Sequence, residues 1–394
     1  MQNIATPWLV YRITESAFLL GVAGFASQIL TLVFAPLAGV WVDRWDRRKV
    51  ILVTQTLSAI PPFLLAALAL TGKIEFWHIL VLSGSTGLIA AFDIPARQSF
   101  AVEMVGGRED LSSAIALNSA MVNGARLIGP SVAGIVIALW GEGICFLVNG
   151  VSYFAILLAL FMMRVPPRSP TGGGVKAFAS LTEGVKYVRQ SPSILTVLVL
   201  LGVVGLMGNP YTVLLPVFAS QVLGGGPRTL GFLAAFTGLG ALAGAGYLAS
   251  RRNVLGLGRV VLAATTLFAV GLAVFSRSSV PWLAMILITV VGFGFMLNMA
   301  GSNTLIQTLV DDDKRGRVMS LFVVARMGTA PFGNLFAGAV AAWMGVPNTM
   351  LLLGGLVLLG CMYFARQMPI MRTHAIPIYQ KRGIVAPPTG EPYF

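Results

Sequence analysis

Charge is scarce in this chain. Of 394 residues only 10% are Asp, Glu, Lys or Arg, against about a quarter in a soluble domain, and that excludes an ordinary water-soluble fold. Cysteine is nearly absent. Cys145 and Cys361 both lie inside apolar segments, so neither a disulfide nor redox chemistry is expected. The two histidines, His78 and His374, are far apart and near segment ends. No metal cluster and no catalytic triad can be assembled from this inventory, so no cofactor and no enzymatic activity are expected. Acids number only 14 against 27 Lys and Arg, giving a net charge of +13. The basic residues fall in short clusters between apolar runs and form no continuous stripe, so the charge encodes membrane topology and not nucleic-acid binding.

What the chain has is apolar length. Hydrophobic residues make up 56% of it, mean hydropathy is +0.84, and runs long enough to cross a bilayer recur from end to end. The expected fold class is therefore an all-α membrane protein. Eleven spans are expected at 17–42, 50–71, 77–100, 112–139, 144–163, 193–218, 229–249, 259–276, 282–308, 318–342 and 348–366. A partial first span covers Met1 to Tyr11, where about eleven residues rise only about 16 Å. It has neither the basic flank nor the cleavage site of a signal peptide. It is expected to be the second half of a helix truncated at its N-terminus, whether by nature or by choice of start site.

Asp43 to Lys49 packs six charges into seven positions, which marks a tight loop at a membrane surface, basic and hence cytoplasmic. Alternation from that loop leaves only Arg12, Lys73, Arg228 and Arg277 on the outer side, with Arg126 and Arg326 inside spans. The C-terminus is then cytoplasmic. The longest connection, 164–192, opens with Pro and Gly linker chemistry. It then places Phe178, Leu181, Val185 and Val188 at helical spacing opposite Lys186 and Arg189, as in an amphipathic helix on the cytoplasmic leaflet. It separates an N-terminal bundle, 1–163, from a C-terminal bundle, 193–366. A polar, Pro-rich tail, 367–394, is expected to be disordered. The halves repeat: Pro130 and Pro331 are 201 positions apart, and Ala38-Gly39 and Ala245-Gly246 are 207 apart.

Several polar residues within spans stand out. Arg126 lies roughly 20 Å deep, where an unpaired charge costs at least ~2.5–3.5 kcal/mol, so it should face the protein interior. Asp93 is the one acid inside an expected span, with Arg97 a turn on and Arg126 or Arg47 as further partners. It reads either as a proton-exchanging group or as a permanently ionised structural partner. Gly129-Pro130 with Ala133 and Gly134 supplies a bend and close helix contact. Asn3, Gln28, Asn118, Asn123, Asn209, Asn298 and Asn303 are candidates to line a substrate cavity, as are Gln2, Asn149 and Gln307. Each also fits a plain interhelical hydrogen bond.

These motifs bear a family resemblance. Gly39, Asp43, Arg44, Arg47 and Arg48 match motif A of the major facilitator superfamily, with Asp46 in place of its second glycine. Gly129 to Gly134 resembles motif C of its antiporters, with Ala133 in place of a glycine. Met1 to Tyr11 is similar to the outer half of family helix 1. Asp93-Ile94-Pro95-Ala96-Arg97-Gln98 resembles the bacterial branch that includes the enterobactin exporter and macrolide efflux proteins. The resemblance implies the major facilitator fold, two pseudo-symmetric six-helix bundles, and proton-coupled efflux by alternating access; the spans, rich in Phe, Leu and Met with only Arg126, Arg326 and Asp93 charged, suit an amphipathic small molecule. It implies a latch in which Asp43 docks at the helix starting near Arg317-Val318. Partners would be that substrate, protons and the bilayer of a bacterial inner membrane, without nucleic acid, and the protein a monomer. An importer or uniporter of the same fold, a non-transporting membrane sensor and a membrane-embedded enzyme are the alternatives. No catalytic constellation supports the enzyme, and no soluble domain supports the sensor.

Overall fold

The computed structural model describes residues 1–42, 44–104, 111–163, 177–251 and 253–381; within the helices, some side chains, among them those of 118, 123 and 126, fall outside the description. The described residues are helical, with no strand among them. A short α1, Gln2–Thr14, ends where Glu15 turns to φ 48° and donates its N–H to Tyr11 O. Next come α2, Ala17–Val42, and α3, Arg47–Leu70. Asp46 caps α3, its Oδ1 accepting the N–H groups of Arg48 (3.0 Å) and Lys49 (3.3 Å). The residue that departs from the motif A pattern is thus the one that closes the loop, because an aspartate at this position satisfies orphan donors. Glu75 caps α4, Phe76–Glu103, reciprocally with His78, which accounts for that histidine.

The spans expected at 112–139 and 144–163 are two helices that follow each other directly within α5, Leu111–Met162, and part at Gly141 (φ 81°, ψ 172°). The backbone has no such break at Pro130. The linker helix α6, Ala177–Gln190, forms as expected. The later spans are interrupted by π turns. After α7, Pro192–Val203, comes a π segment, Val204–Gly208; after α8, Tyr211–Val217, another, Phe218–Val222. Then follow α9, Pro227–Ser250; α10, Leu257–Phe275; α11, Pro281–Leu309; and α12, Arg315–Val323. A third π segment, Val324–Gly328, precedes α13, Ala330–Met344. The first and third π segments each end just before a proline, Pro210 or Pro331. Proline withdraws a helical donor and crowds the preceding turn, and a π turn absorbs that misfit.

Among the described residues nine helices are long and apolar enough to cross a membrane. The gap of two from the eleven full spans expected has two sources: α5 counts once although Gly141 divides it, and the stretch of α12 and α13 is not among the nine. The expected disordered tail needs correction. After Val346, α14 continues unbroken through Pro369 and Pro377 to Lys381. Met371 and Ala375 are buried there, in a cluster with Val188, Ile194, Leu198 and Leu257, and Ser193 Oγ donates to Met371 O (3.2 Å). The polar positions that suggested disorder are the outer face of an amphipathic extension. Residues 382–394 lie outside the described residues.

The described chain divides into two compact units. One comprises 1–175 with 212–235 and 334–346; the other comprises 176–211, 236–333 and 347–394. In the first, α2 packs along α4, and α3 along α4 and α5. In the second, α10 pairs with α11, and α6 docks on α12 and does not simply rest on a leaflet. A Cβ at Gly184 would stand 3.3 Å from Arg317 Cβ. Val188 is buried, Glu183 pairs with Arg317 (2.5 Å), and Tyr187 Oη donates to Asp311 Oδ2 (3.0 Å). Burial pushes the Tyr187 phenol above its ordinary range, so it is a lasting donor.

Candidate functional site

Asp93 sits on α4 at 8% exposure and is held from two helices. Thr54 Oγ1 (2.8 Å) and Gln55 Nε2 (2.7 Å), neighbours on α3, both donate to Asp93 Oδ1. Arg97, four residues on along α4, pairs with Asp93 Oδ2. The pattern follows from α-helical spacing, which stacks residues four apart, and from α3 packing on α4. Arg97 keeps 59% of its side chain exposed while Asp93 keeps 11%, so the pair reaches from the interior to the surface. Sequence reading found Asp93 and Arg97 but not Thr54 and Gln55, whose role depends on which face of α3 meets α4. The Arg126 side chain lies outside the described residues.

The motif A loop is tied down nearby. Arg48 Nη2 donates to Leu160 O (2.8 Å) and Phe161 O (3.3 Å), the last turn of α5, where orphan carbonyls and the negative dipole end favour a cation. Arg44 is exposed and Arg47 opens α3. Gly39 has open space around it among the described residues. Asp43, the proposed latch, lies outside the described residues.

The motif C-like residues separate into two kinds. Among the described residues a Cβ on Gly129 would meet nothing within 4 Å, whereas a Cβ on Gly134 would stand 2.7 Å from Pro227 O and 2.9 Å from Gly231 Cα. Seen from α9, a Cβ on Gly231 would stand 2.8 Å from Pro130 O and 2.9 Å from Gly134 Cα. The backbones of α5 and α9 therefore touch at a glycine on each, beside the buried Ala133. A second crossing has the same construction. A Cβ on Gly21 of α2 would stand 3.0 Å from Gly338 Cα, and one on Gly338 of α13 would stand 2.8 Å from Gly21 Cα. These contacts bring 212–235 and 334–346 into the first unit. Only the α5 crossing had a motif to announce it; Gly21, Gly231 and Gly338 were missed among 45 glycines.

The remaining polar candidates scatter. Asn298 is fully buried and donates Nδ2 to Thr265 Oγ1 (2.6 Å), so it joins α10 to α11. Asn303 accepts from Gln307 Nε2 (3.1 Å) one turn along α11. Asn149 donates to Gln2 Oε1 (3.2 Å), joining α5 to α1. Asn3 is exposed, Gln28 half-buried, and Asn209 half-buried just after the first π segment. The side chains of Asn118 and Asn123 lie outside the described residues. An ion pair that sequence reading missed joins Arg12 Nε to Glu142 Oε1 (2.8 Å), from the end of α1 to the break in α5. Its signal was the Gly141-Glu142-Gly143 break itself. An apolar groove of about 440 Å³ runs between α2 and α4, lined by Val22, Phe25, Ile29, Leu80, Val81 and Gly84.

A family model described as transmembrane secretion effector matches residues 1–383. The chain belongs to that family, within the major facilitator superfamily. The chain is 28% identical to the multidrug efflux pump Tap of Mycolicibacterium fortuitum, over 89% of this chain and 87% of that one. It is 24% identical to the enterobactin exporter EntS of Shigella boydii, over 87% and 81%. The crystal structure of a single-substitution mutant of the nucleoside transporter NupG superposes with a TM-score of 0.72 at 14% identity, covering 92% and 94%, which establishes the fold. The chain is a multi-pass membrane transporter, and its relatives are transporters and efflux pumps, not enzymes.

Proposed function

We propose that this protein exports an amphipathic small molecule across a bacterial inner membrane by alternating access, driven by proton entry. Efflux is supported by the family and by relatives that are themselves exporters. The observation that carries alternating access is the pair of glycine crossings. Helices in a bilayer gain no hydrophobic drive from touching, because lipid is as apolar as leucine, so their contacts rest on close packing. A glycine-to-glycine crossing is tight when closed and leaves no interlocking side chains to unthread when it parts. Parting of α2 from α13 and of α5 from α9 would open the end away from the motif A loop. The Asp43 latch would close the loop end in that state. The apolar groove beside α2 supports an amphipathic substrate. Asp93 is the proposed coupling acid, with Arg97, Thr54 and Gln55 as the donors to its carboxyl oxygens, and a cytoplasmic C-terminus is part of the same proposal.

The test is drug susceptibility of an efflux-deficient strain expressing the protein, against a panel of amphipathic compounds. Export is expected to raise the inhibitory concentration of at least one compound, and Asp93→Asn to abolish that gain at equal membrane abundance. Resistance that survives Asp93→Asn removes Asp93 as the coupling group. No change for any compound removes export of that class.

A further inference from the structure

The crossing of α2 with α13 contains a group that does not belong in a dry contact. Asn334 of α13 is fully buried (0% exposed). Its backbone oxygen lies 2.6 Å from where a Gly21 Cβ would be, and its Nδ2 lies 3.1 Å from where a Gly24 Cβ would be. The carboxamide is thus pressed against the glycine face of α2. Neither Oδ1 nor Nδ2 has a hydrogen-bond partner among the described residues. The other two buried amides with an unpartnered atom, Asn298 and Gln55, each leave only the oxygen unpartnered and still donate, to Thr265 and to Asp93. A carboxamide offers two donors and two acceptor positions, and burying them unmatched disfavours the state that does so. Leucine has nearly the same shape and would close the contact without that cost.

We propose that Asn334 is a positioning residue for transport: its unpartnered amide weakens the closed α2–α13 crossing so that the crossing can open. When α2 leaves α13, the amide regains water or meets the passing substrate. The closed state therefore carries a penalty that the open state does not, and the two stay close enough in free energy for a substrate or a proton to shift the balance. The proposal rests on the alternating-access reading above. It adds a residue that no motif marks and assigns it a direction of effect.

The experiment uses the full chain in lipid vesicles, with Cys145→Ala and Cys361→Ala to remove background thiols. Spin labels are placed at Phe18 and Trp343, exposed positions on α2 and α13. Two distance populations are expected in the unsubstituted chain. Asn334→Leu is expected to raise the ratio of short to long distances about tenfold, equivalent to about 1.4 kcal/mol, and to slow turnover. Asn334→Asp is expected to do the opposite at neutral pH, because a buried carboxylate costs more than an amide, and to return toward the short distance on acidification as the carboxylate takes up a proton. A residue that merely fills space would not give opposite signs for these two variants. An unchanged ratio in Asn334→Leu, or a shift of the same sign in both variants, overturns the proposal. Should Asn334→Leu not fold, Asn334→Ala replaces it with the same expected sign. A single distance in the unsubstituted chain under every substrate and gradient instead sinks the opening of this crossing itself, which separates the two failures.

Discussion

Asp93 shows how much a single side chain depends on its neighbours. Its burial is tolerable because three donors converge on it, and those donors differ in how firmly the protein holds them. Gln55 is 1% exposed, so Gln55→Leu removes a buried donor and leaves a carboxylate oxygen under-satisfied. That should cost about 1–3 kcal/mol, read as a clear drop in melting temperature in detergent. Arg97 is largely exposed, and an ion pair of that kind contributes at most about 1 kcal/mol, so Arg97→Ala should lower stability less than Gln55→Leu. The reverse order would mean that Arg97 is the principal tether. From the sequence, Asp93 stood out as an acid among apolar residues. Thr54 and Gln55 did not, because a threonine and a glutamine near the start of a span carry no sign of which helix they will face.

Whole helices are positioned here by what their surfaces lack. The α5–α9 contact is backbone against backbone, so a methyl group at Gly134 or Gly231 would have to displace a carbonyl oxygen. Gly134→Val should depress export at least tenfold with the protein still in the membrane, whereas Gly129→Ala should be tolerated, since nothing described lies near Gly129. Equal loss from both would point to backbone flexibility and not to contact. The far end of α14 makes the complementary case. Ala375 is buried against the linker side of its unit while Thr373 is exposed. Ala375→Asp should therefore lower thermal stability by about 2 kcal/mol or more by burying a charge, and Thr373→Asp by little. The sequence read this stretch as a loose tail because prolines and polar residues dominate it. Proline is tolerated where the helix bends and one face is packed, and that packing arises only once α6 and α7 are in place.

For the whole molecule, family membership and fold rest on the matched sequence model and the superposed transporter structures, and transport follows from them. Sidedness is where charge makes a further prediction. Single-cysteine labelling in intact cells should leave positions 46 and 314 both inaccessible to a membrane-impermeant thiol reagent, and both reactive in inverted vesicles. Labelling of the two from opposite sides would break the alternation of spans and the repeat with it. Residue spacing is what suggests a repeat, since Pro130 and Pro331 each follow a charged loop. The π segments beside Pro210 and Pro331 were not legible, because proline marks a disturbance without saying whether the helix bends, breaks or widens.

Sequence alone determined that the chain lives in a bilayer, where its charged loops fall, and which family it resembles. Hydropathy and charge are properties of each segment separately, and the membrane acts on each segment separately. Which glycines touch, which donors hold Asp93 and why an amide at position 334 stands without a partner were decided only by tertiary packing. Those facts depend on how helices rotate about their own axes to meet, and rotation is set by the partner surface as much as by the residue itself.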